Sequence, residues 1–185
     1  MKFIIKFIFF FILLNFTNIN AKENIMILKL KTGDVKIELF PDTAPNHVAR
    51  IKELANSGKY DNVVFHRVID GFMAQTGDVQ FGNSSDSNFN LQRAGMGGSD
   101  LPDLKAEFNN IPHERGTLSM ARSSDPNSAN SQFFICFEAA PHLDGQYTVF
   151  GKVIEGMDNV DKIIKGSGPN GSVSNPDKII SFRSE

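Results

Sequence analysis

The chain has 185 residues, 19 basic and 21 acidic side chains for a formal net charge of −2, 41% hydrophobic residues, 17 Phe and no Trp. That length suits one domain with a sizeable core and is short for two. The near-balanced charge argues against nucleic acid as a partner, since that would demand a basic excess or stripe, and a lone cysteine, Cys136, cannot close a disulfide within the chain.

The N-terminal stretch "MKFIIKFIFFFILLNFTNINA" carries Lys2 and Lys6, an apolar run from Phe7 to Leu14, and a polar stretch ending at Ala21. This three-part layout is that of a secretory signal peptide over residues 1–21, and the apolar run is shorter than a spanning helix needs. The alternative is an uncleaved anchor, because Ile19 is bulkier than the small residue usual before a cleavage site. Cleavage would remove two lysines and no acid, leaving a net charge of about −4 on the domain from residue 22 to 185.

Two strands open that domain, "IMILKLK" and "DVKIELF", joined by the turn signal "TGD". The segment "DTAPNHVARIKELANSGKY" reads as a helix with Thr43 as N-cap, Pro45 in the first turn, Gly58 as the stop, and Val48, Ile51, Leu54 and Ala55 on one apolar face. Strands follow at about 63–69 and 72–76. Residues 79–106 are rich in Gly, Ser, Asn and Asp and lack periodicity, which predicts a long functional or mobile loop. Strands return at "GTLSMA", "QFFICF" and "YTVFGKV". A short helix, "MDNVDKIIKG", places Met157, Val160, Ile163 and Ile164 on one side, and "DKIISFR" closes the chain as a strand. Many short strands, two helices and no βαβ rhythm predict a mostly β protein, an antiparallel barrel or sandwich capped by helices.

Much chemistry is absent. The histidines at 47, 66, 113 and 142 lack metal-ligand spacing, so no metal or cofactor is expected, and there is no G-x-S-x-G elbow. The match "GSGPNG" to G-x-G-x-x-G follows a helix and precedes a strand, the reverse of the dinucleotide-binding context, and reads as a helix stop and a turn. Cys136 lies between apolar neighbours and reads as a core residue. Glu53 and Asp144 read as solvated surface. Asn83-Ser-Ser and Asn170-Gly-Ser are glycosylation sequons, relevant only in a host that glycosylates.

What remains unusual is an arginine inside the apolar run "FHRVIDGFMAQTGD". In a strand over 63–69, alternation would put Phe65, Arg67 and Ile69 on one face and His66 and Val68 on the other. In "QFFICF" it would put Phe133, Ile135 and Phe137 on a continuous apolar side, with Gln132, Phe134 and Cys136 facing a groove.

The segments "FHRVIDGFMAQTGD", "GTLSMARSSDPNSANSQFFICF" and "LDGQYTVFGKV" resemble, in order and spacing, the signature segments of cyclophilin-type peptidyl-prolyl cis–trans isomerases, from about residue 26 to 183. The resemblance implies an eight-stranded antiparallel β-barrel capped by two α-helices. It places the catalytic arginine at Arg67, the proline pocket at Phe72, Met73, Phe134 and Leu143, and groove polar residues at Gln75 and Gln132. Backbone contacts to the substrate residue before proline fall on Ala121, Arg122 and Ser123, and His66 matches the histidine beside the arginine. His142 stands where the best-known eukaryotic members have Trp, which implies weak cyclosporin binding; Tyr147 replaces their His and Arg122 their Asn. Arg122, Tyr147 and the long loop are similar to bacterial relatives.

The implied partners are proline-containing peptides and unfolded exported proteins, in a periplasm or outside the cell, with no stable membrane partner after leader cleavage. A monomer is the default. Two other readings stay open: a proline-peptide-binding chaperone module with little turnover, and a small-ligand barrel with an open lumen.

Overall fold

The computed structural model describes residues 24–185; the leader expected over 1–21 lies outside them. Ten elements follow in chain order: β1 (Ile25–Leu30), β2 (Gly33–Leu39), α1 (Pro45–Asn56), β3 (Arg67–Ile69), β4 (Met73–Thr76), β5 (Thr117–Met120), β6 (Phe133–Cys136), β7 (Val149–Glu155), α2 (Met157–Asp161) and β8 (Ser181–Ser184). The strands form one sheet in the order β3-β4-β6-β5-β7-β2-β1-β8, every neighbour antiparallel. The fold class expected from the sequence therefore stands, with one correction. No continuous ladder joins β3 to β8, so the sheet is a curled half-barrel; isolated bridges, Val64 to Lys178 and Arg67 to Ser172, span the gap.

Strand alternation fills the inside of the curl. Phe133 and Ile135 of β6, and Phe137 just beyond it, lie in the main core, while Phe134 and Cys136 point to a second, smaller apolar cluster with Met73, Ala140 and Leu143. Phe133 sits at the centre, with Tyr60, Phe150 and Phe182 rings at 5.5, 6.1 and 6.0 Å. Each such fully buried side chain contributes about 1.5–3 kcal/mol of burial free energy. A filled interior leaves no lumen for a small-ligand barrel. Tyr60 keeps its hydroxyl satisfied by donating to the Ser131 carbonyl at 2.7 Å.

Several local expectations shift. The first hairpin turns at Lys31–Thr32, since Leu30 pairs with Gly33. Thr43 does not cap α1; the N-cap is Ala44, and Pro45 takes the first turn as expected. The capping acceptor comes from far away: the Glu107 carboxylate accepts from the amides of Asn46 and His47, each at 3.1 Å. Negative charge at a helix N-terminus is favourable, so this contact ties the residue that ends the long loop to α1. Arg50, almost wholly buried, ties it again by donating to the carbonyls of Pro102 at 2.8 Å and Asn130 at 3.2 Å. The 79–106 segment is thus a bonded wall.

The strand expected at 63–69 is regular only from Arg67, so Phe65 joins Val68 in the core and does not share a face with Arg67. The last helix ends at Asp161, which leaves Ile163 buried but Ile164 exposed. Asp144 is not merely solvated: its Oδ1 accepts from His113 N and Nδ1, each at 2.8 Å. The "GSGPNG" turn packs on the open edge of β3, where Val68 N donates to Gly171 O at 2.8 Å and Gly166 N to Val68 O at 2.9 Å. A Cβ on Gly171, whose φ is +66°, would lie 2.4 Å from Ile69 Cγ1, so this glycine serves close packing on β3.

Candidate active site

Register across four strands lines up the centre of the site. Arg67 of β3 pairs with Gln75 of β4, Gln75 with Phe134 of β6, and Phe134 with Ser119 of β5. One pair further, Ile69 faces Met73 and Met73 faces Cys136. These side chains rise on the outer face of the sheet, opposite the core.

Nine of the thirteen residues singled out in the sequence line one hollow of about 120 Å³: Arg67, Phe72, Met73, Gln75, Ala121, Arg122, Phe134, Leu143 and Tyr147. Its floor is apolar, with Met73 and Phe134 buried and Tyr147 set edge-on to Phe134 at 6.0 Å. Behind Phe134 the His113 ring stacks at 6.1 Å. Asp144 holds His113 through Nδ1, and Ser119 Oγ meets Nε2 at 3.0 Å. This Asp–His–Ser chain has the composition of a hydrolytic triad but not its use. Ser119 is fully buried and its hydroxyl donates to Thr148 O at 2.9 Å, so no substrate reaches it.

Arg67 is fixed from both sides. Its Nη1 donates to Gln75 Oε1 at 3.2 Å and its Nε to the Asn170 carbonyl at 3.1 Å. Partial burial pulls the guanidinium below its ordinary value and the neighbouring Tyr147 opposes that, yet an arginine stays protonated. Gln75 Nε2 in turn donates to Gln132 Oε1 at 3.0 Å, and Gln132 Nε2 donates to the carbonyls of Gly95 at 3.0 Å and Gly97 at 2.7 Å. The result is one hydrogen-bonded line from the cation to the long loop. Arg122 turns away from this line: it donates to the Gln146 and Ser123 carbonyls and lies 4.4 Å over the Tyr147 ring.

The other four residues stand outside the first hollow. Gln132 and Ser123 line a second, adjoining hollow of about 290 Å³ that continues past Ala121 and Arg122. His66 lines a trough on the far side of Arg67, buried, with neither ring nitrogen hydrogen-bonded. Burial pushes its pKa down to about 4; Asp78 opposes this and Arg67 reinforces it. His142 is exposed on the rim, its ring 5.4 Å from Phe72. Cys136 keeps the core reading, since burial pushes its thiol up to about 12.

The sequence did not single out Gly95, Met96 and Gly97, which also line the second hollow, nor Ser128 and Asn130, which line it too. "GMGG" carries no periodicity that could have revealed them. Among the described residues, no group of three or more His, Cys, Asp or Glu side chains could hold a metal ion.

A family model for "Cyclophilin type peptidyl-prolyl cis-trans isomerase/CLD" matches residues 25–184. The chain belongs to the cyclophilin family. A "Probable peptidyl-prolyl cis-trans isomerase" of Brucella suis is 65% identical over 85% of this chain and 81% of its own length. A peptidyl-prolyl cis-trans isomerase of Synechococcus elongatus is 40% identical over 75% of this chain and 91% of its own. Among solved structures, a Cryptosporidium parvum cyclophilin determined in the presence of the dipeptide Ala-Pro superposes with a TM-score of 0.73 at 29% identity, covering 87% of this chain and 98% of that one. Like other cyclophilins, this chain is a peptidyl-prolyl cis–trans isomerase, and its curled sheet with two helices is the cyclophilin fold.

Proposed function

We propose that the first hollow receives the proline ring of a peptide and that Arg67 is the catalytic residue. The observation that carries this reading is a guanidinium held by Gln75 and by the Asn170 carbonyl at the edge of an apolar pocket. Amide resonance sets a barrier of roughly 18–20 kcal/mol to rotation about an X–Pro bond. In the twisted state resonance is lost, and the pyramidal prolyl nitrogen gains a lone pair that accepts a hydrogen bond. A guanidinium over that nitrogen favours the twisted state over the planar one, which is differential binding. No bond breaks. Phe72, Met73, Phe134 and Leu143 would hold the ring and keep water away, which strengthens the donor. Residues before the proline would lie along Ala121, Arg122 and Ser123, with Gln132 and Gln75 as polar contacts, while His66, His142 and Tyr147 border the path. An Ala-Pro dipeptide accompanies the C. parvum structure, and the same unit suits this pocket.

The test is isomerisation of a short Ala-Pro peptide by the chain from Lys22, compared with its Arg67→Ala variant. Loss of one charge-assisted hydrogen bond predicts a fall in kcat/KM of about 10- to 100-fold. A wild type that binds proline peptides without turning them over would instead make the protein a holding module.

We also infer that residues 1–21 are an export leader and that the clients are exported chains folding in a periplasm. The support is the lysine-flanked apolar run of 7–14. N-terminal sequencing of the protein from a periplasmic fraction should begin at Lys22; recovery of the intact N-terminus would overturn cleavage.

A further inference from the structure

Arg67 Nε donates to the main-chain oxygen of Asn170 at 3.1 Å, so one of the groups that hold the guanidinium is a peptide carbonyl on a turn. That turn runs from Gly168 to Gly171, closed by Gly171 N donating to Gly168 O at 3.1 Å, with Pro169 in its second position. Asn170 is exposed, and among the described residues nothing bonds its side-chain amide. The residue after it has no freedom to be anything but glycine, since Gly171 is buried at positive φ and a Cβ there would strike Ile69. Packing on β3 therefore fixes glycine after Asn170, and the only Asn-Gly pair of the chain stands on the turn that holds the arginine. Asn-Gly is the pair most prone to ring closure, because no side chain shields the amide nitrogen that follows the asparagine.

We propose that Asn170 is a modification site, at which spontaneous deamidation disables the arginine. The effect rests on the isomerase reading above, with Arg67 as the catalytic residue. The chemistry needs only water. When the tip of the turn opens, the Gly171 nitrogen attacks Asn170 Cγ and gives up its proton. The Cγ–NH₂ bond breaks, ammonia leaves with that proton, and the two residues close into a five-membered imide. Water then opens the ring by cleaving one of the two carbonyl bonds to the Gly171 nitrogen, which takes back a proton. Cleavage at Cγ leaves an ordinary aspartate. Cleavage at the main-chain carbonyl leaves isoaspartate: the chain runs on through Cβ and Cγ, and the former carbonyl carbon becomes a carboxylate. That carbon carries the oxygen bonded to Arg67. In the isoaspartyl protein a neutral acceptor has become an anion beside a half-buried guanidinium, where a charge-assisted pair is strong. A guanidinium paired there donates less to the prolyl nitrogen, so isomerisation slows.

The experiment ages the purified protein in warm, mildly alkaline buffer and follows isoaspartate at residue 170 by peptide mapping, together with kcat/KM for an Ala-Pro peptide. Isoaspartate should accumulate at 170 while activity falls in step, the modified fraction keeping about a tenth of the starting activity or less. An isoaspartyl methyltransferase with its methyl donor esterifies that carboxylate and returns it through the imide to ordinary aspartate, so treatment should recover activity; damage by unfolding would not be recovered. Asn170→Gln closes its larger ring far more slowly and should hold its own starting activity through the same ageing. Absence of isoaspartate at 170 would overturn the proposal. So would isoaspartate there with activity unchanged, or a Gln variant that decays as fast as wild type. Arg67→Ala separates the two readings: if isoaspartate leaves activity unchanged and this variant is inactive, only the present inference fails, whereas an active variant sinks the catalytic assignment as well. A wild type without activity from the outset would overturn the isomerase reading and this inference with it.

Discussion

The site has two walls of different origin. One side of the proline pocket is built by strands: Arg67, Met73, Gln75 and Phe134 are cross-strand neighbours whose positions follow from register. The facing wall of the second hollow is built by a loop whose Gly95–Gly97 ridge is held by Asp78 from one side and Gln132 from the other. Strand-built geometry inherits its rigidity from the core beneath. Loop-built geometry has to be tied, and here the ties are a buried carboxylate, a glutamine and, further along, Glu107 on the end of α1.

The sharpest way to separate core from site is at two adjacent residues of β6. Phe133→Ala empties the centre of the core and should cost about 3–5 kcal/mol in urea unfolding. Phe134→Ala opens only the smaller outer cluster; it should cost less stability but lower kcat/KM for Ala-Pro peptides at least tenfold. Equal losses of stability at the two positions would deny that β6 divides core from groove.

Acid should act next. His66 is held neutral, its folded pKa pushed down to about 4 from the ordinary histidine value of about 6.5, chiefly by burial. Between those values the unfolded chain binds a proton that the folded chain does not, so stability falls as pH falls from about 6.5 to about 4. The full loss approaches 3 kcal/mol. His47, also pushed down by burial against the pull of Glu107, adds a loss of the same sign. Catalysis through an arginine should stay level from about pH 6 to 9. Urea midpoints and peptide rates across this range check both; a rate that rises steeply through pH 6.5 would implicate a histidine.

The loop-built wall should break more gently. Asp78→Asn turns an NH₂ group toward two backbone amides that now share an oxygen, which predicts a loss of about 1–3 kcal/mol and faster hydrogen exchange at Gly95 and Gly97. Unchanged exchange there would mean that Gln132 alone holds the ridge.

This contrast also explains what the sequence made legible. Alternation of Phe133, Phe134, Ile135 and Cys136 sorts the two faces of β6 correctly, because strand geometry has a fixed period of two. The motif residues around Arg67 converge for the same reason. The periodic reading failed where the chain departs from regular structure: at Phe65, which precedes the regular part of β3, and at Ile164, beyond the end of α2. Thr43 had the right chemistry for a cap, but a carboxylate 61 residues from Asn46 took the place. Asp78 and the carbonyl of Asn170 were invisible because their roles come from hydrogen bonds across long separations, which no local pattern records.

The glycine-rich turn over the edge of β3 has one more consequence. A protein that takes up extended proline peptides meets segments able to add a strand to any open sheet edge, and such pairing is a route to aggregation. Beside Arg67 that edge is taken: Val68 has both its amide and its carbonyl bonded to the 166–171 turn, and the His66 carbonyl accepts Val173 N at 3.2 Å. An incoming segment finds no free main chain there to extend. It can be held by its proline and its side chains and then released, and the enzyme is spared from becoming a template for its own peptides.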